Sequence, residues 1–154
     1  MQTLAIRADM VVQAADGRVL ALVEVRNREN LTPDVASVIR RNLIEHGLQY
    51  GWARFFLIVS QDAGYLWDQE SFFPGDVPLP TVEFPMRSVV EFYLPSLVNR
   101  GRLDGSDVEL AVIQWLWDLA NGVVNRPREP EATLAKTDFL RLIKGGRVET
   151  ESDL

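Results

Sequence analysis

RADMVVQAADGRVLALVEVR, residues 7–26, holds two apolar runs on either side of Asp16-Gly17. An Asp-Gly pair between alternating apolar runs is a strong local signal for a two-residue hairpin, because both central positions of that turn take positive φ. With Asp16 and Gly17 as the turn, Ala15 pairs with Arg18, Gln13 with Leu20, Val11 with Leu22, Asp9 with Glu24, and Arg7 with Arg26. Side chains directly opposite share one face, with Cβ atoms about 5 Å apart. Arg7, Asp9, Glu24 and Arg26 therefore form one polar cluster bordered by the apolar Val11 and Leu22. Two opposed carboxylates repel unless a cation lies between or beside them. The spacing predicts either a cation site or a quartet of cross-strand ion pairs, Arg7 with Glu24 and Asp9 with Arg26.

Working outward, residues 26–31 form a polar connection and Thr32-Pro33-Asp34 opens a helix. Thr32 suits the N-cap, Pro33 the first helical position, and Asp34 the positive end of the dipole. Val35, Val38, Ile39 and Leu43 follow at helical spacing, and Gly47 suits the end. His46 sits where it can interact with the last carbonyls. Residues 55–59 are a short continuous apolar run, the pattern of a strand buried on both faces. After a turn at Asp62-Ala63-Gly64, residues 65–67 predict another strand. Strand, turn, strand, helix, strand gives an α/β fold: a mixed sheet with a hairpin and a crossover helix.

The second half changes character. Residues 68–85 contain four prolines and predict an irregular connection with a short strand at 81–84. Residues 88–94 predict a helix, and Ser106 with Glu109 a capping box at the head of a longer one. In that helix Val108, Val112, Trp115, Leu116 and Leu119 make the core stripe. Ile113 and Trp117 lie on another side, so a homodimer through the helix at 107–121 is expected. Ala135, Phe139, Leu142 and Ile143 mark a last helix closed by Gly145-Gly146. The organisation expected is one domain over 1–154: a core at 1–67, a mostly helical extension at 68–146, and a flexible polar tail at 147–154.

Composition narrows the function classes. The chain has 154 residues, 47% hydrophobic and 25% charged, enough for one globular core. It has no cysteine and one histidine, so thiolate sites, disulfides and multi-histidine metal centres are excluded. No apolar stretch approaches the roughly 20 residues of a membrane span, and the N-terminal residues lack a secretory pattern, so a cytoplasmic address is expected. The net charge is −6, carried by residues 68–154; residues 1–67 balance at seven arginines against seven acids. Any surface for nucleic acid must therefore be local to the first half. Arginine outnumbers lysine fourteen to two.

Asp9 on one strand, Glu24-Val25-Arg26 on the next, a helix, and the run Arg54-Phe55-Phe56-Leu57-Ile58-Val59 together resemble the core of the PD-(D/E)XK nuclease superfamily. The fold this implies is restriction endonuclease-like, over roughly residues 5–67, as in small uncharacterised bacterial members. The activity implied is Mg²⁺-dependent (or Mn²⁺-dependent) hydrolysis of DNA phosphodiester bonds. Asp9 and Glu24 would be the metal ligands, the Val25 backbone carbonyl a third, and Arg26 would stand in the place of a lysine. Arginine stays protonated and cannot act as a base, so the alternative implied is an inactive nuclease-fold interaction module, a homodimer. Arg7, Arg40 and Arg41 are candidate phosphate contacts, and Glu29 and Asn30 could edge the site. Gln49 and Tyr50 resemble a helix glutamine and tyrosine of some members, although they are adjacent here. The four tryptophans are not interleaved with basic residues, which favours packing over base stacking.

Overall fold

A computed structural model describes residues 6–29, 31–71, 78–97, 101–123 and 128–150. Six strands form one mixed sheet: β1 Met10–Gln13, β2 Val19–Val25, β3 Phe55–Val59, β4 Ala63–Asp68, β5 Val82–Pro85 and β6 Arg147–Thr150, in the order β5-β4-β3-β2-β1-β6. β2 and β3 are parallel, and every other neighbouring pair is antiparallel. The α-helices among the described residues are α1 Pro33–Glu45, α2 Arg87–Tyr93, α3 Gly105–Ala120, α4 Glu131–Leu134 and α5 Phe139–Ile143, and a 3-10 turn spans Gln69–Ser71. The mixed α/β class and the crossover helix between β2 and β3 are as the sequence predicts. Asn30 lies outside the described residues.

The hairpin differs in detail from the two-residue turn. Gly17 donates to Ala14 at 2.9 Å and Ala14 to Arg18 at 2.8 Å, so three residues form the loop, with Gly17 at φ 89°. That longer loop shifts the pairing by one: Ala14 meets Arg18, and Gln13 meets Val19. A bulge between Val12 and Gln13 then shifts it back, restoring Val12–Ala21, Val11–Leu22 and Met10–Val23. A slip of one residue would have moved every side chain to the opposite face. The two irregularities cancel, and Asp9 and Glu24 keep the same side of the sheet.

Two apolar layers cover the sheet. On one side α1 packs with Val11, Leu22, Phe56, Ile58, Tyr65 and Trp67. Phe56 and Trp67 meet edge-to-face at 5.9 Å; full burial of side chains this size stabilises by about 2–3 kcal/mol each. On the other side α2 to α5 pack on Met10, Val12, Ala21, Val23, Phe55 and Leu57, with the expected α3 stripe of Val108, Val112, Trp115, Leu116 and Leu119 buried. Thr32 caps α1 by accepting from Val35 N–H at 3.2 Å. The helix ends with Leu48 N–H donating to Leu43 and Gly47 N–H to Ile44, the pattern of a left-handed glycine closure. His46 Nδ1 lies 2.6 Å from the Asn42 carbonyl.

Several expectations in the second half are corrected. α3 is capped by Asp104, which accepts from Ser106 N–H at 3.0 Å, instead of by Ser106. The last helix is split into α4 and α5, because the Thr137 hydroxyl donates to Leu134 and accepts from Phe139 N–H, taking backbone groups away from a continuous helix. The residues read as a polar tail begin with β6, which pairs with β1 from Met10–Thr150 to Gln13–Arg147. β6 also packs on α3, and Ile113 is partly buried against the core, so much of the supposed free face is met by the chain itself. Trp117 remains 51% exposed and donates to the Val148 carbonyl at 3.2 Å.

The return into β6 depends on Gly146. A Cβ there would stand 2.1 Å from the Gln13 carbonyl oxygen and 2.8 Å from that of Ile143. Gly146→Ala is expected to destabilise the fold by about 2 kcal/mol or more, read from urea midpoints. An unchanged midpoint would mean that β6 does not lie this close to β1.

Candidate metal and phosphate site

β1 begins at Met10, so the regular ladder with β2 stops one residue short of the Asp9–Glu24 pair. The two carboxylates continue it. Asp9 N–H donates to Glu24 Oε1 at 3.0 Å, and Val25 N–H donates to Asp9 Oδ2 at 2.8 Å. Each side chain thus accepts from the other strand's backbone, and both carboxylates are fixed in orientation. Arg26 Nη2 lies 3.2 Å from Glu24 Oε2. The ion pair therefore runs along β2, from residue 24 to residue 26, in place of the expected diagonal from Asp9 to Arg26. Arg26 N–H donates to the Val59 carbonyl at 2.9 Å, tying this end of β2 to the end of the parallel β3. Carboxyl ends of parallel strands are where open α/β sheets place their ligands.

Glu24 is buried, at 5% exposure, while its partner Arg26 is 42% exposed at the side chain. Burial, and next the negative charge of Asp9, push the Glu24 carboxyl up to about 7. Arg26 and the Asp9 N–H pull in the opposite direction without cancelling them. Near neutral pH this site therefore holds part of a proton that a cation could displace. Arg26 Nε is buried without a hydrogen-bond partner, the only such side-chain atom among the described residues. An unmet buried donor of this kind costs about 1–3 kcal/mol.

The remaining candidates separate. Arg7 is exposed, beside Asp9, and Arg41 is half-buried on α1. Arg40 is corrected: it is buried, its Nε donates to Gln69 Oε1 at 3.0 Å, and its guanidinium lies 5.8 Å from the Trp67 ring centre. Burial lowers its pKa to about 10. A guanidinium enclosed in this way is not presented to a phosphate. An arginine in a helix reads as solvated; its partner Gln69, 29 positions on, left no local signal. Gln49 and Tyr50 lie beyond α1, where Gln49 N–H donates to Ile6 and Tyr50 takes φ 62°. Trp67 and Trp115 are core residues, whereas Trp52 is 74% exposed.

Sequence reasoning missed the polar link behind the site. Asn27 donates from Nδ2 to the Leu103 carbonyl and accepts at Oδ1 from Gln61 N–H at 3.3 Å; Gln61 Oε1 accepts from Leu103 N–H at 2.8 Å. A cleft of about 320 Å³ opens beside this link, lined among others by Glu29, Gln61, Asp62, Arg87 and Arg102. Arg102 pairs with Asp62 at 2.6 Å. No protein-family model, curated protein or solved structure matches the chain.

Among the described residues no group of three His, Asp or Glu converges. Mg²⁺ needs only one or two carboxylates, with water and substrate phosphate completing its shell. Asp9, Glu24 and a backbone carbonyl are all oxygen donors, and the charge at the pair is only partly offset by Arg26. Oxygen donors of this class suit Mg²⁺ or Mn²⁺, but three of the four carboxylate oxygens already hold Asp9 N–H, Val25 N–H or Arg26, so an ion would have to share or displace these partners.

The raised Glu24 pKa makes stability depend on pH. The folded chain binds this proton more tightly than the unfolded chain, so its contribution is full below about 4.5 and lost as pH rises through about 7. In metal-free buffer, wild type is expected to lose stability between pH 5 and pH 8, by no more than roughly 3 kcal/mol from this group. Glu24→Gln should flatten that part of the profile in parallel urea titrations. Superimposable profiles would place the Glu24 pKa at its ordinary value.

Proposed function

We propose that this chain is a PD-(D/E)XK-type nuclease-fold protein whose Asp9–Glu24 pair holds Mg²⁺ (or Mn²⁺) against a DNA phosphodiester. The observation that carries the reading is the opposition of two oriented carboxylates, one buried, at the end of β2. The chain order supports it: a hairpin bearing the acids, then α1, then β3 parallel to β2. The Val25 carbonyl is the third donor the resemblance implies. When bound, the ion would polarise the phosphate and lower the pKa of a water.

The chain's own residues set the limits of that chemistry. Asp9 and Glu24 bring negative charge and fixed orientation. Arg26 is anchored to Glu24 and stays protonated, so it can stabilise charge on a phosphate but cannot accept a proton from water. Turnover is expected to be slow for this reason, and Arg26→Lys should raise it.

Titration calorimetry with Mn²⁺ should show saturable heat in wild type that Asp9→Asn and Glu24→Gln lose, with affinity rising through pH 7 as Glu24 ionises. Cleavage of supercoiled plasmid in Mg²⁺ should be weak in wild type and faster in Arg26→Lys. Absence of metal heat at millimolar Mn²⁺ would overturn the reading.

A second reading, a catalytically inactive interaction module, is favoured by the Glu24–Arg26 ion pair, which partly compensates the acids without a metal. Leu110 and Trp117 on α3, 47% and 51% exposed, would be its contact face as a homodimer. It predicts a dimer in sedimentation and no metal binding.

A further inference from the structure

The geometry points to an anion-binding turn at residues 26–28 that takes a nucleic-acid phosphate through Arg26 and Arg28, with Arg28 a phosphate contact outside the carboxylate–arginine triplet. The inference rests on the reading of the neighbouring acids as a phosphodiester site, and it names the residues that hold the substrate there.

Three observations carry it. Arg28 N–H donates to the Arg26 carbonyl at 2.9 Å, so the chain turns tightly as it leaves β2 and keeps two arginines close together. The turn is anchored through its middle residue. Asn27 is held by Leu103 and Gln61, so its side chain is committed to the loop before α3 and the turn cannot swing freely. Arg26 keeps a side chain that is 42% exposed while its Nη2 holds Glu24, and Arg28 is exposed and forms no ion pair among the described residues. A phosphate offers oxygen acceptors in the forked geometry that guanidinium groups match. One such group beside the turn would meet the exposed part of the Arg26 side chain and the free charge of Arg28.

This also reconciles an acidic chain with a polyanionic substrate. The net charge of −6 opposes broad nonspecific binding, so affinity must come from a few placed cations. The cleft lined by Glu29, Gln61 and Leu103 is a poorer candidate: Arg102 and Arg87 there are already paired with Asp62 and Glu91.

The test is binding of a fluorescent DNA duplex in EDTA, over a series of salt concentrations, by wild type, Arg28→Gln and Arg28→Lys. Wild type should bind at low salt. Arg28→Gln should bind roughly tenfold more weakly, the size of one charge-assisted contact, with a salt slope smaller by about one. Arg28→Lys should keep the slope. Arg28→Gln equal to wild type in affinity and slope, or no binding by wild type, would overturn the inference. Mn²⁺ calorimetry on the same proteins separates the two claims. Heat that persists in Arg28→Gln beside lost DNA affinity supports both. DNA affinity lost in Arg28→Gln with no Mn²⁺ heat in wild type supports the arginine turn and overturns the metal site.

Discussion

The exchange between Asp9 and Glu24 is the constraint on which the site depends. Each carboxylate accepts a backbone N–H from the opposite strand, so two like charges are held together where the sheet's own hydrogen bonds run out. Left to themselves the groups would separate or protonate. Burial and mutual repulsion push Glu24 to about 7, and Arg26 only partly relieves it. A structural ion-pair ladder on a solvated strand would show neither the burial nor the raised carboxyl. That charge state would give a cation, or a phosphate carrying one, something to gain by binding, as proposed above.

That exchange requires a register, and the register was legible in the sequence for a reason that proved incomplete. Asp16-Gly17 marks the turn, but Gly17 alone takes the left-handed conformation and the loop has three residues. The pairing survives because the bulge between Val12 and Gln13 returns the missing step. Nothing in the local residues announces that bulge. The core side of the hairpin does: Val12, Ala21 and Val23 must face α3 while Val11 and Leu22 face α1, and only one register satisfies both layers. Hydrophobic alternation therefore located Asp9 opposite Glu24 more securely than the turn did.

Features set by distant partners were not legible. Arg40 looks like a surface arginine until Gln69 and Trp67 enclose it. The C-terminal residues look like a polar tail because β6 is short and alternates, with Val148 alone buried beneath α3. Gly146 was the available signal, since only glycine fits against the Gln13 carbonyl. The second half also acquires a role that composition alone could not suggest. Its loop before α3 grips Asn27 and Gln61 and so braces the end of β2 from behind. Among the described residues no helix is long and apolar enough to cross a membrane.

The most direct test is carbon-detected NMR titration of the Glu24 side-chain carboxyl, with and without Mg²⁺. Without metal the carboxyl should titrate near 7, and saturating Mg²⁺ should move that transition to lower pH while leaving exposed carboxylates unchanged. A transition at the ordinary 4.5, or one near 7 that Mg²⁺ does not move, would contradict the claim that this buried pair is a cation site.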